Sequence, residues 1–283
     1  MIPSKFDYVR PSSVDEAVAA LAQGGEDAKV LGGGQSLLPV LRLRLATPSV
    51  LVDLGGIAEL RGVREDGDRI AIGAMTPHHE VLNDDLVGEH VALLAKATAT
   101  VADPQIRHLG TLGGALAHAD PAGDLGSVAV ALDAELVIAG SGGRRTVPAS
   151  EFFTDYFTTA IGEGEVLTEV RFPRYTGWGS HYEKMSRTAQ SWSMVAVAAA
   201  LRVESGTIAE ARVGLANMGS TPIRASGVEQ ALVGQAASAE SVRAAAAHAT
   251  DGTSAPSDGD AAAAYREHLA TVLTGRAVLA AAG

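Results

Sequence analysis

The chain has 283 residues, a formal net charge of -11, 47% hydrophobic and 19% charged residues, and a pI near 5.1. That profile suits a globular protein of two or three compact units, and it excludes disorder and the basic footprint that nucleic acid or an anionic membrane needs. The lack of cysteine removes disulfides, thiolate-held iron–sulfur clusters, zinc–thiolate sites and a cysteine nucleophile.

An aromatic share of 4% implies cores built from Ala, Val and Leu. The N-terminal run MIPSKFDYVRP has no apolar signal segment, and the longest strongly apolar run, Met194 to Leu201, is far short of a membrane span. A cytoplasmic protein with no transmembrane segment is expected.

In chain order, Ser13-Val14-Asp15-Glu16 has the form of a capping box, with Val14, Ala17, Val18 and Leu21 on one helical face and Gly24-Gly25 as the stop. Lys29-Val30-Leu31 is expected as a short strand, Ser36 to Leu45 as a helix with Pro39 in its first turn, and Val50 to Leu54 as a buried strand. A hairpin is expected from Leu60–Arg64 and Arg69–Ala74, followed by helices over Glu80–Val87 and His90–Ala102. After Asp124 come a helix over Leu125–Leu132, a strand at Glu135–Ala139, a turn at Gly140–Gly143 and a strand at Glu165–Phe172.

The texture changes after Pro173. Strands at His181–Met185, Met194–Glu204 and Thr207–Ala216 read as an antiparallel meander, because the Glu204–Gly206 turn is too short for a crossover. Helices follow at Ala225–Val233, Ala239–Ala249 and Ala261–Ala281, the last two separated by a Gly/Ser/Pro/Asp loop.

Two stretches carry the chemistry. Gly110 to Asp124, GTLGGALAHADPAGD, reads as a loop too polar and glycine-rich for core, and Gly32-Gly33-Gly34-Gln35-Ser36 has the same character. Glycines let the backbone approach a ligand and aim several N–H groups at one point, which holds phosphate without lysine. No Gly-Lys pair and no G-x-G-x-x-G triplet occurs, so the P-loop is excluded and a Rossmann site is disfavoured. Either stretch alone reads as a tight turn or as a ligand site; the pair suggests a dinucleotide-type cofactor held at two ends. Asp124 is either the N-cap of the next helix or an acceptor for sugar hydroxyls. His78-His79 reads as a helix start, since adjacent side chains diverge and no companion metal motif exists. His108 and His118 flank the glycines 110–114 of the second stretch as bystanders or as groups near a ligand.

The runs VLGGGQSLLPVLRLRLATPSVLVDL, DPQIRHLGTLGGALAHADPAGDL, GEVLTEVRFP and YEKMSRTAQSW together resemble the FAD-binding medium subunit of the molybdenum hydroxylases, the carbon monoxide dehydrogenase and xanthine dehydrogenase family. The resemblance spans nearly the whole chain. It implies an α+β fold: a vanillyl-alcohol-oxidase (PCMH) type FAD-binding domain of two α/β subdomains, residues 1–55 and 56–176, then a C-terminal domain of antiparallel sheet and helices, 177–283. It implies non-covalent FAD, with Lys29, Val30, Leu31, Gly32, Gly33, Gly34, Gln35, Ser36 and Leu37 around the pyrophosphate. Gly110, Thr111, Gly113 and Gly114 form a second clamp, Asp124 meets FAD hydroxyls, Val101 and Leu167 give apolar contacts, Lys184 lies by the flavin and Trp192 near the isoalloxazine.

No side chain of the chain itself is then assigned as catalytic, because the flavin carries the redox chemistry. The same resemblance implies a large molybdenum-cofactor subunit and a small [2Fe–2S] subunit as partners, in a dimer of heterotrimers (a heterohexamer) that delivers electrons to an external acceptor. Relatives often carry Ala where this chain has Gly32, Asn where it has Ala115, and Gly-Asp where it has Gln190-Ser191. A self-contained FAD-dependent oxidoreductase of the same fold is the alternative, and a nucleotide-binding module without redox activity a further one.

Overall fold

The computed structural model describes residues 2–283, and its three main sheets follow one another along the chain. Strands β1 (Asp7–Val9), β2 (Ala28–Leu31) and β3 (Val50–Asp53) form a parallel sheet in the order β1-β3-β2. The helix Val14–Gly24 buries Val14, Ala17 and Leu21, the stripe its periodicity dictates. Ser13 caps it by accepting from the Glu16 N–H at 3.2 Å. The return bond of the expected box is displaced by one residue, since Glu16 accepts from the N–H of Ser12 at 2.8 Å. β1 was not expected: three exposed residues carry no alternation to read.

The second sheet is antiparallel in the order β4-β5-β10-β6-β7. It contains β4 (Val63–Asp66), β5 (Arg69–Gly73), β6 (Glu135–Gly140) and β7 (Gly143–Pro148). A small hairpin, β8 (Phe153–Asp155) and β9 (Thr158–Thr159), precedes its central strand β10 (Val166–Pro173). The turn expected at Gly140–Gly143 therefore joins two strands; β7 escaped the sequence reading because it is an exposed edge of Arg and Thr with one buried valine.

Several helices depart from expectation for local reasons. The helix Leu37–Arg42 stops short of Leu45, and Arg44 adopts a left-handed φ of 57°. The segment expected as Glu80–Val87 is two helices, His78–Asn83 and Asp85–His90. Asp84 restarts the chain there, its carboxylate accepting from Leu86 and Val87 N–H at 2.9 and 3.1 Å. His90–Ala102 shrinks to Ala92–Ala99.

The largest correction concerns the second glycine stretch. It is helical over Leu112–His118 and partly core, with Leu112, Gly113 and Leu116 buried, and a further helix, Pro104–Leu109, leads into it. Its glycines suggested a loop, but Asp103 before Pro104 and Thr111 before Leu112 are helix-starting residues that each cap an N–H, of Ile106 at 2.9 Å and of Gly114 at 3.1 Å.

The third sheet is the expected meander, with β11 (Gly179–Met185), β12 (Val195–Glu204), β13 (Thr207–Ala216) and β14 (Ile223–Arg224) in sequence order. Ser205 and Gly206, at φ of 49° and 80°, make the tight turn that matches strand twist. β12 is buried on both faces. Ala196, Ala198 and Ala200 pack toward the helix Asp124–Ala131 of the preceding region, whereas Val195, Val197, Ala199 and Leu201 pack toward the helices Ser226–Leu232, Ala239–Ala246 and Ala263–Ala281. Small residues on the first face let that helix approach so closely that a Cβ at Gly214 would lie 2.2 Å from the Ser127 carbonyl oxygen.

His78 sits at the foot of the second stretch and joins it to the rest. Its N–H donates to the Gly110 carbonyl at 2.9 Å, its ring is buried, and its Nδ1 has no partner among the described residues. Burial, helped by nearby Arg107, drops its pKa to about 4 from 6.5. The unfolded chain therefore takes up a proton that the native state refuses: the stability His78 confers is complete above pH 6.5 and disappears as pH falls through about 4. The loss is on the order of 3 kcal/mol. Urea melts of the parent and of His78→Phe between pH 7 and pH 4 check this; the variant is expected to show the shallower acid dependence.

Candidate functional site

The two glycine stretches, remote in sequence, touch backbone to backbone. A Cβ at Gly33 would lie 2.2 Å from the Leu109 carbonyl oxygen and 2.5 Å from the Gly110 Cα. No side chain fits there, so glycine is required by the contact itself. Gly32 is different: the nearest atoms to its Cβ position are Thr111 Oγ1 at 3.5 Å and the Gly114 Cα at 3.6 Å, which is ordinary contact. Gly113 is pressed against Ala74, whose Cβ would be 2.4 Å from an added Cβ.

The first stretch leaves β2 and turns through Gly34 at φ 75° into the helix at Leu37. Among the described residues the N–H groups of Gly33, Gly34, Gln35 and Ser36 have no protein acceptor. The Gln35 side chain braces the turn by donating to the Gly33 carbonyl at 2.7 Å. Val30 and Leu31 are half-buried, Lys29 is exposed and Leu37 half-buried. Consecutive free amides around a left-handed glycine form an anion-binding concavity.

The second stretch spends its amides internally. Leu112 N–H donates to the Thr76 carbonyl at 3.1 Å, Gly113 N–H to Ala74 at 2.8 Å, and Gly114 N–H to Thr111 Oγ1 at 3.1 Å. Thr111 is buried. What this stretch offers is close approach, while the first offers donors.

Asp124 opens its helix, but Gly123 occupies the cap position and the Asp124 side chain points elsewhere. Lys184 Nζ lies 2.9 Å from its Oδ2 and the Tyr182 hydroxyl donates to its Oδ1 at 2.8 Å. Lys184 Nζ also reaches the Thr100 carbonyl at 3.3 Å, next to half-buried Val101. The pair is nearly dry, with side chains 10% and 4% exposed. Burial raises the Asp124 pKa against the opposing pull of Lys184 and Tyr182, and burial beside Asp124 drives the Tyr182 phenol well above 10. Each carboxylate oxygen keeps a second lone pair, enough for a ligand hydroxyl.

Sequence reasoning missed Tyr182. The signal was available, since residues 182 and 184 share one face of a strand. Leu167 lies in the large core cluster beside a bulge in β10. Trp192 stands 54% exposed, its ring 6.5 Å from that of His118 at the end of the helix Leu112–His118. His108 is turned away to stack on His79, with ring centroids 3.9 Å apart.

The family model described as the FAD binding domain in molybdopterin dehydrogenase matches residues 4–175, and the one described as the CO dehydrogenase flavoprotein C-terminal domain matches residues 180–281. The chain is 40% identical over 279 residues to the carbon monoxide dehydrogenase medium chain of Afipia carboxidovorans, covering 98% of this chain and 97% of that one. It is 34% identical over 277 residues to the glyceraldehyde dehydrogenase medium chain of Sulfolobus acidocaldarius, covering 98% of each. In three dimensions it is similar to a chain of carbon monoxide dehydrogenase from Hydrogenophaga pseudoflava, with a TM-score of 0.96, 42% identity and coverage of 99% and 98%. The α+β fold expected for this family is therefore the fold observed, and the chain belongs to the FAD-binding medium subunits of the molybdenum hydroxylase family, a family of oxidoreductase subunits.

Proposed function

We propose that this chain is an electron-transfer subunit: it holds FAD, receives electrons from [2Fe–2S] clusters on a small partner, and passes them to an external acceptor. Substrate oxidation would take place at a molybdenum cofactor on a large partner, within a dimer of heterotrimers in the cytoplasm. The observation that carries this reading is the row of unpartnered amides from Gly33 to Ser36, placed where Gly33 meets Leu109 and Gly110. It suits a pyrophosphate and needs no lysine, in keeping with the acidic chain. Bound FAD supplies the ability to exchange electrons singly or in pairs.

In this reading the first stretch, from Lys29 to Leu37, cradles the pyrophosphate through its backbone. Gly110, Thr111, Gly113 and Gly114 bring a second wall close, Asp124 accepts from cofactor hydroxyls with its remaining lone pairs, and Val101 and Leu167 supply apolar contact. Lys184 sets the local charge and Trp192 covers the cofactor's edge. The division at residues 55/56 and 176/177 belongs to the same proposal; each part carries one of the three main sheets, with residue 1 outside the described residues. The chain has no cysteine, so thiolate-held clusters must lie on a partner. No helix among the described residues is long and apolar enough to cross a membrane. The relatives named above are parts of enzymes with different substrates, which fits a subunit remote from substrate choice.

Native purification, flavin extraction and mass spectrometry of the co-purifying chains test this; FAD with a molybdenum subunit and a [2Fe–2S] subunit is expected. A chain that alone turns over a small organic donor would support the self-contained oxidoreductase instead.

The glycines give an internal control. Gly32→Ala is expected to retain FAD, because a Cβ there meets nothing closer than 3.5 Å. Gly33→Ala, which must push the two stretches apart, is expected to cost about 1–3 kcal/mol and to lose FAD on gel filtration. Lys184→Met leaves buried Asp124 without its cation, at a cost of about 3–5 kcal/mol by denaturant melts, and adding Asp124→Asn is expected to restore part of it. With Lys184 beside the flavin, the single variant also lowers the flavin's reduction potential.

A further inference from the structure

Three hydrogen bonds tie the loop between β11 and β12 to the far end of the second glycine stretch. Asn217 donates its backbone N–H to the Pro121 carbonyl at 2.8 Å and its side-chain Nδ2 to the Ser193 carbonyl at 2.8 Å. Ser193 donates its hydroxyl to the Ala122 carbonyl at 2.7 Å. Ser193 is buried and Asn217 nearly so, at φ 61°; asparagine tolerates that left-handed conformation better than most residues. The same loop is closed at its base by Met194 N–H donating to the Met185 carbonyl at 2.8 Å, and the buried Arg266 guanidinium donates to the Met194 carbonyl. Asp258 fixes that guanidinium with both oxygens at 2.7 Å.

Everything in this clasp is anchored except its tip. Trp192, adjacent to Ser193, has an exposed ring, and its aromatic neighbours are His118, at 6.5 Å, and beyond it Phe157, 5.3 Å from the His118 ring. A ring half in solvent has packing on one side only, so its place depends on the backbone on which it stands. That backbone is fixed through Ser193 and Asn217 to Pro121 and Ala122, at the far end of the second stretch just before Asp124.

We infer that Asn217 and Ser193 are positioning residues, clasping the β11–β12 loop to the 120–122 segment so that Trp192 is held at the cofactor's edge. This rests on the reading above that FAD occupies the glycine cradle. The C-terminal region thereby completes the cofactor site that the first two sheets begin, and the clasp acts through Trp192 without any bond of its own to the cofactor.

The test uses the full chain carrying Trp178→Phe, which leaves Trp192 as the single reporter of the two tryptophans. Into it go Asn217→Gly, which suits the left-handed backbone and keeps the bond to Pro121, and separately Ser193→Ala. Fluorescence anisotropy and acrylamide quenching of Trp192 without cofactor, then FAD titration, are measured for each. The expected result is a more mobile, more readily quenched Trp192 in both variants and FAD binding weakened about five-fold, the loss of one hydrogen bond. Unchanged Trp192 mobility overturns the clasp. Greater mobility with unchanged FAD affinity overturns its role at the cofactor and leaves a structural tie only. A parent chain that takes up no FAD contradicts the proposed function and the positioning role with it, and the mobility readout, which needs no cofactor, then judges the clasp alone.

Discussion

At Gly33 two backbones meet with no room for a side chain between them, and the rest of the molecule can be understood as the means of holding them there. The first backbone arrives at the end of a parallel strand and turns with free amides. The second arrives as the threonine-capped start of a helix whose own amides are already donated inward. One side supplies donors and the other supplies a wall. His78 and Thr76, which reach the second stretch through main-chain bonds, and Ala74, against which Gly113 is pressed, fix the wall to the five-stranded sheet.

The C-terminal region is held to this arrangement through polar groups that it lends to the second stretch. Asp124 is buried and begins a helix, so its charge would be costly without Lys184 and Tyr182, both from β11. Further along that helix, Arg224 reaches the Val130 carbonyl and Asp133 from β14. Alanines on β12 then let the helix and the sheet pack closely. These contacts make the helix from Asp124 to Ala131 the joint between the two halves of the chain, so that disturbing Asp124 is felt on both sides.

Elements with strong periodicity were legible in the sequence. The Val14–Gly24 helix, the β4–β5 hairpin, the meander of β11 to β13 and the long last helix stand close to where pattern puts them. The exposed strands β1 and β7 were not, because an edge strand with no buried face has no alternation. The helix Leu112–His118 was hidden by its two glycines, although Thr111 announced its start. At the site, the pair of glycine stretches was visible as composition, but their contact was not, since nothing local records which backbone a glycine will meet. Likewise the sequence offered Asp124 as a cap or as an acceptor, and the fold gives its carboxylate to Lys184 and Tyr182. The family resemblance carried the reading from a dinucleotide to FAD, a step that spacing alone did not supply.

The central claim is that backbone amides of the first stretch grip the cofactor where the two stretches meet. Hydrogen–deuterium exchange of the full chain with and without FAD addresses it at those amides. Protection on FAD addition concentrated at Gly33 to Ser36, and absent when riboflavin replaces FAD, is the predicted result. FAD binding that leaves those amides exchanging as before would contradict the account.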